Sequence, residues 1–303
     1  MKKKIIVCLC AVAFVGVVAV ILYNHFKLYR FKGFDLASIK IAMKNEKCVL
    51  NPMQNGGGHL NFFIAHAGGA MIENHQHFTY TNSKEALLQS IDEGFKFIEL
   101  DLMLDSDGEI FAAHDYEHFY KITNAKFEDK NALQSPPSKD YLKKAKIYGR
   151  FSVLDKEAIN AIFMENENIF LVTDKLNDFE ALNTQFSGFK DRIIIEAFGV
   201  SNYFKARKMG FKYAMLSTND INLAKSFNIP MIAAHTSILQ SQKGIEEAQD
   251  FIANGGCIML FSSNEKAFID KHKGKSVTQF YVDNYDIKQN RCKFDDESKC
   301  RTY

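Results

Sequence analysis

The sequence predicts a (β/α)8 TIM barrel preceded by an N-terminal transmembrane helix. Two patterns support this. From residue 61 to about 282, short apolar runs alternate with longer amphipathic segments, and eight such runs can be read. Runs that are apolar throughout suit parallel strands buried on both faces, with helices packed over them. Eight of them within some 220 residues suit a closed barrel. The alternative is an open doubly wound sheet, but no Gly-x-Gly-x-x-Gly turn follows the first run. The second pattern is an uncharged stretch close to the N-terminus, set apart from the rest.

That stretch runs from Ile5 to Leu22 behind three lysines. As a helix, its 18 residues rise roughly 27 Å, close to the thickness of a bilayer core. Lysines ahead of it favour a cytoplasmic N-terminus, and Tyr23, Lys27, Tyr29, Arg30 and Lys32 suit an interfacial collar. No small-x-small cleavage site follows, so residues 1–32 are expected to be an uncleaved anchor and collar. Residues 33–60 read as a connecting segment that ends in the flexible Asn55-Gly56-Gly57-Gly58. The barrel follows over residues 61–282. Its eight runs are FFIAH, KFIELDL, IFAAH, IFLVTD, IIIEAF, YAML, IPMIAA and CIMLF. Residues 115–152 interrupt the alternation with an aromatic and charged insertion, which either shapes the mouth of the barrel or is a surface excursion. Residues 283–303 form a polar tail.

Composition narrows the function classes. The 303 residues are 47% hydrophobic, enough for a full core, and the net charge of +2 gives no field that would argue for nucleic acid. Six cysteines divide by context. Cys8 and Cys10 lie in the anchor, Cys257 reads as core and Cys48 has no evident partner. Cys292 and Cys300 flank a charged loop and form a disulfide if the domain is exported.

In a parallel barrel the chemistry gathers at the C-terminal ends of the strands. His66 ends the first run, Glu99 and Asp101 lie in the second, and His114 ends the third. Glu99 and Asp101 are two apart and share a face, opposite Ile98, Leu100 and Leu102. Two carboxylates pointing into a barrel repel and lose hydration, so one protonates unless a cation compensates. Hard oxygen ligands make Mg2+ or Ca2+ the natural choice. A histidine pair can divide acid and base roles in phosphoryl transfer. Gly68 and Gly69 allow backbone to approach a ligand closely and are candidates to hold a phosphate oxygen. Asp174 is the expected third metal ligand, with Lys175 beside it on the substrate. His235 is a further substrate candidate at the end of its run. Glu196 can be read as pocket lining or as helix-facing or salt-bridged, Phe280 and Tyr281 can be read as pocket wall or as packing, and His75 and His77 read as surface residues.

This pattern resembles the glycerophosphodiester phosphodiesterase family, within the wider barrel group that includes phosphatidylinositol-specific phospholipases C. The matching segments are His66-Ala67-Gly68, Thr81-Asn82-Ser83, Glu99-Leu100-Asp101 and His114-Asp115, against the family's His-Arg-Gly, Glu-Asn-Thr, Glu-x-Asp and His-Asp. The resemblance is strong over residues 62–115 and diffuse beyond. It implies a divalent cation on Glu99 and Asp101, and His66 and His114 as the acid/base pair. It also implies hydrolysis of a glycerophosphodiester to sn-glycerol 3-phosphate and an alcohol. Two departures bear on substrate: Ala67 stands where the family has a phosphate-binding arginine, and Thr173-Asp174-Lys175 replaces a Glu-x-Lys. Expected partners are therefore a glycerophosphodiester or phospholipid-derived substrate and a membrane, with the catalytic domain periplasmic or extracellular. The alternatives are a phospholipase C- or D-type enzyme acting on lipid, and a barrel that binds a phosphorylated ligand without turnover.

Overall fold

The computed structural model describes residues 31–51, 58–73, 76–125, 130–261, 263–294 and 300. The expected anchor lies outside the described residues, apart from Phe31 and Lys32 at its end. Among the described residues, no helix is long and apolar enough to cross a membrane. The chain divides into two compact units, residues 1–44 and 45–303. In the first, the helix Leu36–Met43 starts on Asp35, whose carboxylate accepts the Ser38 N–H at 2.8 Å.

The second unit is a closed barrel of eight parallel strands. They are β1 (Phe63–Ala65), β2 (Phe97–Leu104), β3 (Phe170–Asp174), β4 (Ile193–Phe198), β5 (Tyr213–Ser217), β6 (Met231–His235), β7 (Cys257–Phe261) and β8 (Gln279–Val282). Each pairs with its neighbour in sequence order, and β1 closes the ring by pairing with both β8 and β2. Seven helices make the crossovers: α1 (Lys84–Glu93), α2 (Lys156–Glu165), α3 (Phe179–Gln185), α4 (Val200–Lys208), α5 (Ile221–Ser226), α6 (Gln242–Ala253) and α7 (Lys266–His272). Five of them begin on a Ser or Asp that accepts a first-turn N–H: Ser83, Asp155, Asp178, Asp220 and Ser241. These caps fix where each strand-to-helix loop ends.

One of the eight expected strands is reassigned. IFAAH is not a barrel strand: Ile110–Ala112 runs antiparallel to the upper part of β2, with Leu102 opposite Ala112. The reason is length. A parallel neighbour needs a crossover of a dozen or more residues, whereas only Asp105–Glu109 separates the two segments. The Asp105 carboxylate accepts the Asp107 and Glu109 N–H groups, and Gly108 takes φ +77°, which makes the connection a tight turn. The eighth strand is instead Gln279–Val282. Thr278 and Gln279 disguise it in the sequence, but both are buried with hydrogen-bond partners, at the Ile258 and Asn61 carbonyls respectively.

Inward-facing residues divide the barrel along its axis. Ile64, Phe97, Val172, Ile194, Tyr213, Met215, Met231, Ala233, Cys257 and Met259 form one buried apolar cluster. Two residues further along the same strand faces come Glu99, Asp174, Glu196, Ser217, His235 and Phe261. The barrel is thus plugged by hydrocarbon toward the N-terminal ends of its strands and polar at its C-terminal mouth. The described residues of the tail, and those of the 33–60 connector from Asn45 on, belong to the same compact unit as the barrel. Tyr285 stacks on Phe63 with centroids 5.2 Å apart, and Lys293 pairs with Glu93 at 2.7 Å.

The cysteine assignments change as well. Cys48 is bonded to Cys257, the first residue of β7, and the Cys48 N–H also reaches the Gly255 carbonyl at 2.8 Å. A separation of 209 residues hides this pairing from the sequence. Cys292 and Cys300 are also joined. Insertion residues 115–152 build a small core of their own, in which Phe119, Tyr120 and Leu142 pack with Phe111.

Because the Cys48–Cys257 bridge closes a long loop, Cys48→Ser is expected to lower the unfolding free energy by about 2–5 kcal/mol. Guanidinium unfolding of the wild type with and without reductant checks this. Identical curves for all samples would mean that the bridge contributes nothing.

Candidate active site

The mouth of the barrel holds a cavity of about 310 Å3, lined by thirteen residues that include His66, Glu99, Asp101, His114, Asp174, Lys175 and His235. Seven of the nine residues singled out from sequence therefore meet in one place. The other two, Gly68 and Gly69, do not line it. Both are buried beneath α1, where the Ser90 hydroxyl donates to the Gly68 carbonyl at 2.7 Å. A Cβ on Gly69 would lie 2.2 Å from Ser90 Oγ, and both glycines have positive φ. Their need for glycine follows from this close approach and backbone conformation.

Three carboxylates form the acidic side. Glu99, Asp101 and Asp174 each offer an oxygen within 4.8 Å of the others. β2 and β3 are in register with Asp101 opposite Asp174, so the pairing of two strands brings the acids together. The Ala67 N–H donates to Glu99 Oε2 at 2.6 Å, and Glu99 Oε1 is buried without a partner. Asn82 clamps Asp101 twice: its side-chain amide donates to Oδ2 at 2.9 Å, and its carbonyl oxygen accepts the Asp101 N–H at 3.0 Å. The Lys175 ammonium donates to Asp174 at 2.8 Å and stands 3.6 Å from Asp101. Burial, then the charges of Asp101 and Asp174, push the Glu99 carboxyl well above its ordinary range. Burial also raises Asp101. A hard divalent cation fits this donor set, because it would satisfy the orphaned Glu99 Oε1 and cancel the repulsion that raises these carboxyls.

The two histidines are each oriented through Nδ1. His66 Nδ1 lies 3.1 Å from Asp283, which follows β8, and His114 Nδ1 lies 2.6 Å from its neighbour Asp115. A carboxylate at Nδ1 fixes the ring and leaves Nε2 as its free nitrogen. Burial works against the His66 imidazolium, but Asp283, Asp101 and Asp174 outweigh it and raise the group above its ordinary value. Tyr80 lies between the two, 4.6 Å from the His66 ring and 6.0 Å from His114. The antiparallel return of Ile110–Ala112 is what brings His114 back to the mouth.

The sequence reading missed several residues here. Asp283, Tyr80, Ser217, Phe198 and Phe261 carry no motif; each becomes visible only once the ring of strands is closed. Asp283 was assigned to the tail, but it continues the inward face of β8 two residues past Tyr281. Glu196 and Tyr281, whose readings stood open, both line the cavity. The Tyr281 hydroxyl donates to Glu196 at 3.1 Å, and burial, then Asp174, push Glu196 up to about 8. No described residue of the insertion 115–152 lines the cavity. His75 lies outside the described residues, and His77, read as a surface residue, is partly covered by a stack on Phe294.

Comparison with known proteins supports the fold. No protein-family model matches the chain, and no curated protein matches it. Solved structures do match. A glycerophosphodiester phosphodiesterase from Parabacteroides distasonis aligns over 75% of this chain and 94% of its own, with TM-score 0.59 and 15% identity. One from Thermotoga maritima aligns over 75% and 96%, with TM-score 0.54 and 16% identity. An Oleispira antarctica phosphodiesterase in complex with the product sn-glycerol-3-phosphate aligns over 75% and 95%, with TM-score 0.57 and 17% identity.

The raised carboxyls link stability to pH. Glu99 and Glu196 hold protons in the folded state that their unfolded forms release near pH 4–5, so the folded state binds more protons between there and about pH 8. Stability of the metal-free protein is therefore expected to fall as pH rises through that window, and His66, also raised, adds to the loss near neutrality. Melting temperatures from pH 5 to 9 test this. Mg2+, Ca2+ or Mn2+ is expected to raise Tm most at the alkaline end, and a metal-free Tm that climbs with pH would contradict the assignment.

Proposed function

We propose that this protein is a metal-dependent phosphodiesterase of the glycerophosphodiester phosphodiesterase family, acting on a glycerophosphodiester to release sn-glycerol 3-phosphate and an alcohol. One observation carries the proposal: three clustered carboxylates face two carboxylate-oriented histidines across a single cavity. The likeness to solved phosphodiesterases supports the family reading, and the one complexed with sn-glycerol-3-phosphate supports the product class.

The chemistry divides among this chain's own groups. Glu99, Asp101 and Asp174 hold the divalent cation, which when bound supplies Lewis acidity to the phosphoryl oxygens. Lys175, which donates to Asp174 and stands 3.6 Å from Asp101, is placed beside the cation site where it would meet a non-bridging phosphate oxygen. It thereby takes the place of the arginine that Ala67 lacks. The resting charge of His66, favoured by Asp283, suits it to protonate the departing alkoxide. His114, oriented by Asp115, accepts the proton of the attacking water, whose oxygen forms the new bond to phosphorus as the bond to the alcohol breaks. Asn82 and the Ala67 N–H keep Asp101 and Glu99 in position and so set where the cation sits. The disulfides Cys48–Cys257 and Cys292–Cys300 support an oxidising compartment outside the cytoplasm, consistent with an N-terminal anchor.

The deciding assay is a screen of glycerophosphodiesters with Mg2+, Ca2+ and Mn2+. Turnover is expected to require metal, to stop in EDTA and to yield glycerol 3-phosphate. Release of diacylglycerol or a cyclic phosphate would point to phospholipase chemistry instead. His66→Ala and His114→Ala are each expected to lower kcat by about 10²- to 10⁴-fold. Full activity in EDTA, or in either variant, would reject the mechanism.

A further inference from the structure

The helix Leu36–Met43 is built inside out. At about 100° per residue, Ser38 and Ala42 fall on one side of it, and these two are the residues it buries. The opposite side carries Leu36 and Met43, 66% and 62% exposed, the most exposed large apolar side chains among the described residues. Ile39, partly buried, adjoins Met43, so an apolar stripe of Ile39, Met43 and Leu36 runs along the outer side. Exposed Lys40 and Lys44 border the stripe on its other edge. A helix covered only by its own protein does the reverse: it buries large apolar residues and shows polar ones to water.

Chain position and charge identify what covers this stripe. The uncharged run read as a membrane anchor ends at Leu22, fourteen positions before Leu36. From Phe31 to Lys44 the chain carries three lysines and one acid, Asp35, whose carboxylate caps the helix through the Ser38 N–H. Lysines beside an apolar helical stripe suit a bilayer interface. The stripe enters the boundary of the acyl chains, while the ammonium groups reach the phosphates on their long stems. Anionic head groups add to the attraction of each lysine. A second copy seated face to face would instead bring a second set of lysines to the same contact.

Resting on the reading of residues 5–22 as an anchor, we propose that the helix Leu36–Met43 lies in the surface of an anionic phospholipid bilayer. Ile39, Met43 and Leu36 enter the acyl boundary, and Lys40 and Lys44 meet the head groups. The helix is a second membrane contact, additional to the anchor. Cys48 follows Met43 by five positions and is bonded to Cys257, so the chain joins this contact covalently to the first residue of β7.

The chain contains no tryptophan, so single-tryptophan variants report depth without background. Full-length Leu36→Trp, Met43→Trp, Ala37→Trp and Met164→Trp are placed in nanodiscs of phosphatidylcholine and phosphatidylglycerol, with and without bromine on the acyl chains. Ala37 shares the helix but lies about 100° round it from Leu36, and Met164 is exposed on α2. Leu36→Trp and Met43→Trp are expected to emit to the blue of the other two and to lose about half of their emission to bromine. In the Met43→Trp background, Lys40→Glu with Lys44→Glu is expected to remove about half of that quenching. Met43→Trp quenched no more than Met164→Trp, or quenching untouched by the double charge reversal, would overturn the proposal. Blue emission without quenching, accompanied by a dimer in mass photometry, would overturn it in favour of a second copy. Carbonate extraction of the full-length wild type tests the anchor separately. If the protein is extracted, the anchor reading fails. Bromine quenching of Met43→Trp on phosphatidylglycerol vesicles then still supports the interfacial helix, and its absence overturns it.

Discussion

Mutual repulsion among carboxylates is the constraint on which the mouth of this barrel depends. Glu99 and Asp101 are each 1% exposed and meet Asp174 within 4.8 Å. Such a cluster is unfavourable without compensation, and the surrounding structure supplies it in parts: the Ala67 N–H on Glu99, both ends of the Asn82 amide on Asp101, and the Lys175 ammonium on Asp174. None of these reaches Glu99 Oε1, which is buried and unpaired, and burial beside Asp101 and Asp174 favours the protonated carboxyl in the metal-free protein. The arrangement is intelligible as a binding site whose energy balance closes only when a cation enters.

The fold makes that concentration possible. Apolar side chains fill the barrel toward the N-terminal ends of its strands, so inward-facing positions one layer up can be given to polar groups without losing the core. The residues two ahead of each acid show the division: Phe97 before Glu99, Val172 before Asp174, Ile194 before Glu196. The Cys48–Cys257 bridge lies at the opposite, apolar end, attached to the first residue of β7, and ties the segment before the barrel to that end. Stability is thereby concentrated away from the mouth, where groups must be free to change partners.

How much of this was legible depends on where each signal lay. The acid pair was readable because a strand displays its period of two over consecutive residues, Glu99 and Asp101. The ring count was readable, but one member was misplaced. The five residues from Asp105 to Glu109 are too few for a crossover, which length alone could have shown, whereas buried Thr278 and Gln279 made the true eighth strand look like a loop. The Cys48 partner and the His66–Asp283 contact could not be read, since each joins positions more than 200 residues apart that only barrel closure brings together. Gly68 and Gly69 were legible as glycines, but not for the right reason: both take positive φ, and at Gly69 the Ser90 hydroxyl also leaves no room for a side chain.

The replacement of a guanidinium by Ala67 follows from the same balance. An arginine beside His66 would bring a permanent positive charge to the cavity, and Lys175 is instead the one Lys or Arg among the lining residues. Lysine is a point charge on a flexible stem, able to pair with Asp174 in the absence of the metal and with a phosphate oxygen in its presence. The backbone at position 67 meanwhile serves another need: with φ at +49°, its N–H is delivered to Glu99. The Ala67 side chain is buried and does not line the cavity, so the chain uses the peptide group at this position, and the proposed phosphate contact falls to Lys175 after the third strand. In the proposed mechanism this placement would couple substrate binding to metal binding, because the lysine that would hold the phosphate pairs with carboxylates that would hold the cation.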